Sequence, residues 1–120
     1  MAVTYTNAVK TARMTATRDQ VADGTLVILD GSTVLATHGL SATGGTIGGD
    51  PAAWTIVLDN TTIQASATGT PDGAEIRNAG GTAQVTGLTV GLSGADINFD
   101  RLDFTSGGNV TINSAVITHA

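Results

Sequence analysis

Turn residues recur at short intervals from residue 25 to the end of the chain. Asp30–Ser32, Asp59–Asn60, Asp72–Gly73 and Ala79–Gly81 each separate segments rich in Val, Ile, Leu and Thr. About eight strand-sized segments result, at a spacing of about 8–12 residues, which is typical of antiparallel sandwiches and barrels. We therefore expect a mainly β chain, folded as an antiparallel β-sandwich (jelly-roll or Ig-like) of about eight strands with one short N-terminal helix.

Two hairpins can be placed from their turns. Asp30-Gly31 is a strong hairpin signal between the first two segments. Residues 41–53 predict a glycine-rich loop. In the hairpin of 74–78 and 82–86, alternation places Ala74, Ile76, Ala83 and Val85 inward, and Glu75, Arg77, Gln84 and Thr86 outward. The predicted strands are 25–29, 33–37, 54–58, 61–67, 74–78, 82–86, 96–104 and 109–119.

Residues 7–22 form the one segment with a helical pattern. Asn7 can cap this helix and Gly24 can end it. Val9, Ala12 and Ala16 recur at roughly helical spacing, with Met14 as an optional further member. The predicted organisation is an N-terminal arm and helix over 1–24, followed by a β-sandwich domain over 25–120.

Three of the five basic residues lie on the predicted helix, at Lys10, Arg13 and Arg18. A solvated helix face is the simpler interpretation. The alternative is a basic contact to an acidic neighbouring subunit.

Charge and composition exclude several classes of function. A net charge of −5 with five basic residues argues against nucleic acid, because phosphate binding needs clustered Lys and Arg. The chain has no cysteine for disulfides or thiolate metal sites. No apolar run is long enough for a membrane helix, and no secretory signal is recognisable, so we expect assembly in the cytoplasm.

The chain has few large apolar residues with which to build a core, and few charged residues with which to cover a surface. Val, Ile, Leu and Phe make up 28 of 120 residues, and charged residues only 12%. Thr, Ala and Gly, with 21, 17 and 16 residues, take their place. This composition is typical of a subunit stabilised by its neighbours.

The sequence contains few residues of the types that usually carry out catalysis. His38 and His119 are the only histidines, one in a strand pattern and one beside the carboxyl terminus. Gly91–Ala95 misses the Gly-x-Ser-x-Gly nucleophile motif by one residue. We assign no catalytic, cofactor-binding or metal residue and expect no enzyme.

Two strings imitate ligand sites. Asp96, Asn98 and Asp100 match the first ligand positions of a calcium loop, but Arg101 and Gly107 replace the glycine and glutamate that such a loop needs. The simpler interpretation is a strand with alternating faces, in which these three side chains are exposed to solvent and the intervening side chains are packed in the core. A second string, Gly44–Gly49, suggests a phosphate cradle but lacks a following lysine. The residues expected to pack are Ile97 and Phe99, with Leu102 and Phe104 beyond them.

The carboxyl-terminal half resembles a known class of proteins. Asp72–Gly91, Ser93–Phe99 and Ser106–Ile112 place a strand, a glycine-containing hairpin and a second strand before a Gly-Ala-Asp-Ile-Asn stretch and a final strand. This layout resembles small virion proteins of tailed bacteriophages, over roughly residues 72–118, and head decoration (cement) proteins in particular.

The resemblance implies a non-enzymatic protein that binds across neighbouring major capsid subunits and stabilises the capsid. It implies a homo-oligomer, with a trimer favoured, located on the virion surface, and no nucleic-acid or membrane partner. The alternative is a tail-tube, tail-tip or fibre-base subunit of a phage. A carbohydrate-binding sandwich is a third hypothesis, against which Trp54 is expected in the core beside Ile56 and Leu58.

Overall fold

The computed structural model describes residues 5–49 and 52–118. The chain is mainly β, and its strands join into a single open, mostly antiparallel sheet of nine strands. The elements are α1 (Asn7–Val21), β1 (Thr25–Asp30), β2 (Thr33–Gly48), β3 (Ala53–Leu58), β4 (Thr62–Gln64), β5 (Gly73–Arg77), β6 (Ala83–Leu88), β7 (Val90–Gly91), β8 (Ile97–Phe99) and β9 (Asn109–Thr118). The order across the sheet is β6-β5-β1-β2-β3-β9-β8-β7, with β4 paired to β9 beside this path.

The mainly β chain with one helix is confirmed, whereas a sandwich of two separate sheets is not shown. Every strand of the described residues is linked to the same sheet through hydrogen-bonded neighbours. Two long strands make these links, because each exchanges neighbours along its length. β2 pairs first with β1 and then with β3, and β9 pairs with β4 and β8 before it pairs with β3.

The predicted helix forms, but its two ends are set by other residues than expected. Thr6, and not Asn7, is the N-cap: its hydroxyl oxygen accepts the amide of Val9 at 3.3 Å. At the other end Asp23, and not Gly24, takes the left-handed conformation, with φ at 63°. Aspartate tolerates this conformation better than most residues, which is why it can stand where glycine was expected.

The residues that α1 buries are only partly those of the apolar series in the sequence. Met14 and Val21 are buried against the sheet, whereas Val9 is 42% exposed and Ala12 and Ala16 face solvent. Both sets of residues have helical spacing, so the pattern alone does not choose between them. The helix buries its larger apolar side chains, because methionine and valine remove more apolar area from water than alanine does.

The first hairpin is confirmed. β1 and β2 pair antiparallel up to Asp30 and Thr33, and Gly31 sits in the turn with φ at 60°. The turn is held from outside by Asp72, whose two carboxylate oxygens accept the Gly31 amide at 3.0 and 3.1 Å. The two predicted turns, at Asp30 and Asp72, therefore lie together.

The predicted glycine-rich loop over 41–53 is wrong for most of its length. β2 continues through this segment to Gly48, and the register against β3 shifts between Leu40 and Gly45. A Cβ at Gly45 would overlap the carbonyl oxygen of Thr55, and its φ of 119° is one that side chains rarely adopt. Glycine at this position thus lets β2 bend and stay close to β3, instead of making a loop.

The hairpin of β5 and β6 is confirmed. The predicted inward residues of β5 are buried, but those of β6 are not. Ala74 and Ile76 are buried as predicted, whereas Ala83 is exposed, Val85 is half-buried and the buried residue of β6 is Leu88. The register between the two strands shifts twice. Such irregularities change which residues of β6 face inward, so simple alternation does not hold along this strand. Of the residues predicted to face outward, Gln84 and Thr86 are exposed, and Glu75 and Arg77 are half-buried.

Three later strands also differ in length or were not expected. The segments predicted over 61–67 and 96–104 contain only the three-residue strands β4 and β8. The two-residue β7, parallel to β8, was not predicted. β9 agrees with the prediction up to Thr118, where the described residues end.

One hydrophobic core joins the helix and the sheet. Trp54 is fully buried in it, with Ile56 buried and Leu58 half-buried on the same strand, as predicted. Phe99 and Phe104 meet edge to face, with ring centroids 5.4 Å apart. Met14 and Val21 of the helix belong to the same cluster, so α1 packs as part of the domain.

Candidate functional site

His38 lies in the core and out of reach of solvent. It is fully buried on β2, and its Nδ1 donates to the carbonyl oxygen of Asn60 at 3.2 Å. Its Nε2 has no hydrogen-bond partner. Burial lowers the pKa of the His38 imidazole, an effect that the hydrogen bond to Asn60 partly opposes. Burial thus favours the neutral form of the His38 ring, and His119 lies outside the described residues.

The side chains of the calcium-like string close a loop between β7 and β8. The Asp96 carboxylate accepts the amide of Thr89 at 3.1 Å, and the Asp96 amide donates to the Thr89 hydroxyl at 3.0 Å. Asn98 binds both the amide and the carbonyl of Ala95, at 3.1 and 3.0 Å, and donates to the Ser114 hydroxyl at 2.9 Å. These oxygens are occupied in holding the loop.

The solvent-exposed strand face predicted for Asp96, Asn98 and Asp100 is only partly present. Asp100 is exposed, whereas Asp96 and Asn98 are half-buried by the hydrogen bonds of the loop. Ile97 and Phe99 between them are buried, as alternation predicted. Among residues 5–49 and 52–118 no group of three His, Cys, Asp or Glu side chains could hold a metal ion.

The segment Gly44–Gly49 is strand and turn, with backbone oxygens engaged by the protein itself. The carbonyl oxygen of Gly44 accepts the Trp54 indole Nε1 at 2.9 Å. The carbonyl oxygen of Gly45 accepts a guanidinium nitrogen of Arg18 at 3.3 Å. This string therefore fastens the helix and the core tryptophan to the bend of β2.

The basic residues of α1 point in different directions. Arg18 is half-buried against β2 and also pairs with Asp19 at 3.1 Å. Arg13 is exposed, with its guanidinium 4.4 Å from the centroid of the Tyr5 ring. Lys10 is half-buried. Lys10 and Arg13 are three positions apart and therefore neighbours on the helix surface, whereas Arg18 is engaged by β2 and Asp19.

The side of α1 away from the sheet carries small apolar residues where a solvated helix usually carries charge. Val9 is 42% exposed, and Ala8 directly before it and Ala12 about one turn after it are exposed as well. We call this surface the outer helix face. It consists of Ala8, Val9, Ala12 and Ala16.

An uncharged surface lies where β3 and β9 separate. Their paired register ends at Thr55 and Val116, and beyond this point the strands diverge around an open cavity of about 320 Å³. None of the residues that line it is charged. We call it the β3–β9 cavity; it is lined by Thr55–Leu58, Thr61 and Ile112–Val116.

The β3–β9 cavity has an apolar floor and a mixed rim, in which the exposed Val57 and Val116 alternate with polar residues such as Thr55 and Ser114. Ile56, Ile112 and Ala115 are buried at its base, whereas Val57 and Val116 remain 44% and 36% exposed. Sequence reasoning missed this site, because it depends on two strands parting and not on a local pattern. The one available signal was Val57, an apolar residue at a position that alternation turns outward.

The two surfaces that stand out among the described residues are thus the outer helix face and the β3–β9 cavity. No helix among them is long and apolar enough to cross a membrane. No protein-family model matches the chain, and no curated protein or solved structure is significantly similar to it.

Proposed function

We propose that this protein is a non-enzymatic structural component of a tailed-phage particle, which decorates the capsid and stabilises it by binding across neighbouring major capsid subunits. The resemblance of residues 72–118 to small virion proteins supports this function, and so does the low charge of the chain. The proposed location is the outer surface of the capsid.

The observation that carries the proposal is the outer helix face. An exposed stripe of Ala8, Val9, Ala12 and Ala16 contributes little to the stability of the isolated chain, since its apolar atoms stay in water. Small side chains allow a close approach of another protein and lose little conformational entropy on contact. We assign this face to the capsid.

The mechanism is one of area and repetition. Each copy makes contacts that are individually weak, and the symmetry of the shell repeats them many times. Copies that also contact each other, as the favoured trimer would, gain further from this effect. Charge contributes little to steering, because the chain has only five basic and ten acidic residues.

The sandwich remains part of the proposal. The hydrophobic core includes Leu26 and Ile28 before the bend of β2, and Trp54, Phe99 and Val110 beyond it. Side chains from the two halves of the open sheet thus share one core. We propose that the bend at Gly45 folds the sheet over on itself, into a two-layered arrangement like that of the cement proteins.

The test is co-sedimentation with empty, expanded capsids of the phage that encodes the protein. Ala12→Glu places a charge in the centre of the outer helix face at a position where glutamate is a good helix former. We expect this variant to fold normally and to bind capsids at least tenfold more weakly than the wild type.

The matched control is Gln84→Glu, which adds the same charge at an exposed position of β6. It is expected to bind like the wild type. If the wild-type protein sediments with isolated tails and not with capsids, the decoration function is wrong and the alternative of a tail subunit replaces it.

A further inference from the structure

Leu92 is held out into solvent by a loop that is fixed from within. It is 58% exposed, the largest exposed fraction among the large apolar side chains of residues 5–49 and 52–118. The reciprocal hydrogen bonds between Asp96 and Thr89, and those of Asn98 to Ala95, close the loop behind it. An apolar side chain on a preorganised loop loses little freedom when it is bound.

The β3–β9 cavity has the properties that such a side chain requires. Its floor of Ile56, Ile112 and Ala115 is apolar, and its volume of about 320 Å³ is at the lower end of ligand-sized pockets. Leu92 of the same chain is not among the lining residues. The leucine of one copy therefore does not fill the cavity of its own chain.

We propose that Leu92 of one copy inserts into the β3–β9 cavity of a second copy. Charge favours this occupant: neither the loop Gly91–Ala95 up to Asp96 nor any cavity residue carries charge. Two copies of a chain with a net charge of −5 meet with least repulsion through surfaces of this kind. Insertion of Leu92 would remove its exposed apolar surface from water, which favours association.

The contact joins two different surfaces, so it is heterologous. The cavity is lined by β3 and β9, and β8 separates β9 from β7, which precedes Leu92. Each copy therefore donates a leucine at one site and accepts one at another, and the ring form of this arrangement is the one that the favoured trimer requires. This inference rests on the self-association within the proposed function, and it adds the residues that make the contact.

The absence of native cysteine makes the contact accessible to thiol cross-linking. The double variant Leu92→Cys with Val57→Cys places one thiol at the leucine position and one at the cavity rim. With a short thiol-specific cross-linker, it is expected to give a ladder that stops at the ring size. Either single variant alone should stay uncross-linked, whereas a mixture of the two should give dimers.

The control pairs Leu92→Cys with Ser32→Cys, an exposed position in the β1–β2 turn, and should give no ladder. Cross-linking of Leu92→Cys to itself would indicate a two-fold contact and would overturn the inference. So would an equal ladder from the control.

Native mass provides an independent readout. The wild type is expected to exceed the 11.9 kDa of one chain, and Leu92→Asp to return to that mass with an unchanged melting temperature. Ser32→Asp, with the same added charge, should keep the wild-type mass. A Leu92→Asp variant that stays oligomeric, or a wild type that is monomeric at every concentration, overturns the inference. Capsid binding measured in parallel decides the decoration function separately.

Discussion

β1 and β3 are strands of similar length in the same sheet, but they are buried in different ways. Three consecutive residues of β1, Leu26–Ile28, are at most 1% exposed, so both of its faces are covered. In β3, Trp54 and Ile56 are buried while Val57 between Ile56 and Leu58 is 44% exposed, so only one face is covered. The fold is complete around β1, whereas β3 presents apolar surface that its own chain leaves open.

The largest expected effect compares one aspartate on each strand. Val27→Asp buries an unpaired charge in β1 and should cost more than about 4 kcal/mol of unfolding free energy, enough to leave the chain unfolded. Val57→Asp, on the open face of β3, should change that free energy by less than about 1 kcal/mol. Urea denaturation followed by circular dichroism measures both. Equal losses would mean that β3 is covered on both faces in solution.

A second comparison concerns the bend that brings β2 alongside β3. Gly45→Ala adds a Cβ that overlaps the Thr55 carbonyl and strains the backbone, and should cost about 2–3 kcal/mol. Gly48→Ala, in the same strand with no neighbour within 4 Å of the new Cβ, should cost less than about 0.5 kcal/mol. Thermal unfolding of the two variants separates them. A harmless Gly45→Ala would show that β2 does not bend against β3 as described.

The covered side of the sheet should also respond to pH through His38, which pairs with Leu26 of β1. Because burial lowers its pKa in the folded state, the unfolded chain binds the proton more readily. Stability should be constant above the ordinary value of 6.5 and fall as the pH decreases below it, by up to about 1.4 kcal/mol per pH unit. His38→Gln should lack this decline between about pH 5 and 7, where carboxylates contribute little. An identical decline in the variant would assign it to another group.

The smallest effect tests what orders the loop that carries Leu92. The oxygens of Asp96 and Asn98 are engaged in hydrogen bonds within the protein, so a chelator should leave the melting temperature unchanged. A fall of several degrees that added calcium reverses would mean that a metal ion, and not the hydrogen bonds, holds this part of the chain.

The regions that sequence reasoning predicted well are those where a local signal and the tertiary packing agree. Asp30-Gly31 fixed the first hairpin, and alternation around Trp54 placed β3 in the core. Where a local signal was compatible with two structures, tertiary packing determined which one formed. The helix has apolar residues at helical spacing on two faces, and the face that contains Met14 is the one that is buried.

Other features depend on partners that are distant in sequence. Gly44 and Gly45 read as a loop because glycine usually punctuates structure, but their freedom serves the approach to β3. The β3–β9 cavity arises where the pairing of two strands ends at Thr55 and Val116, which no single segment encodes. The hydrogen bonds of Asp96 to Thr89 likewise appear only when the loop has closed.

The most direct test of the account is hydrogen–deuterium exchange of the protein alone, at a concentration where it is dispersed, and bound to empty capsids. If the uncharged surfaces serve association, exchange should slow in peptides covering 7–21 and 53–58. Peptides covering β5 and β6, residues 73–88, should exchange as in the free protein. Protein that sediments with capsids but slows only in 73–88, or in no peptide, would contradict the claim that these surfaces are the ones used.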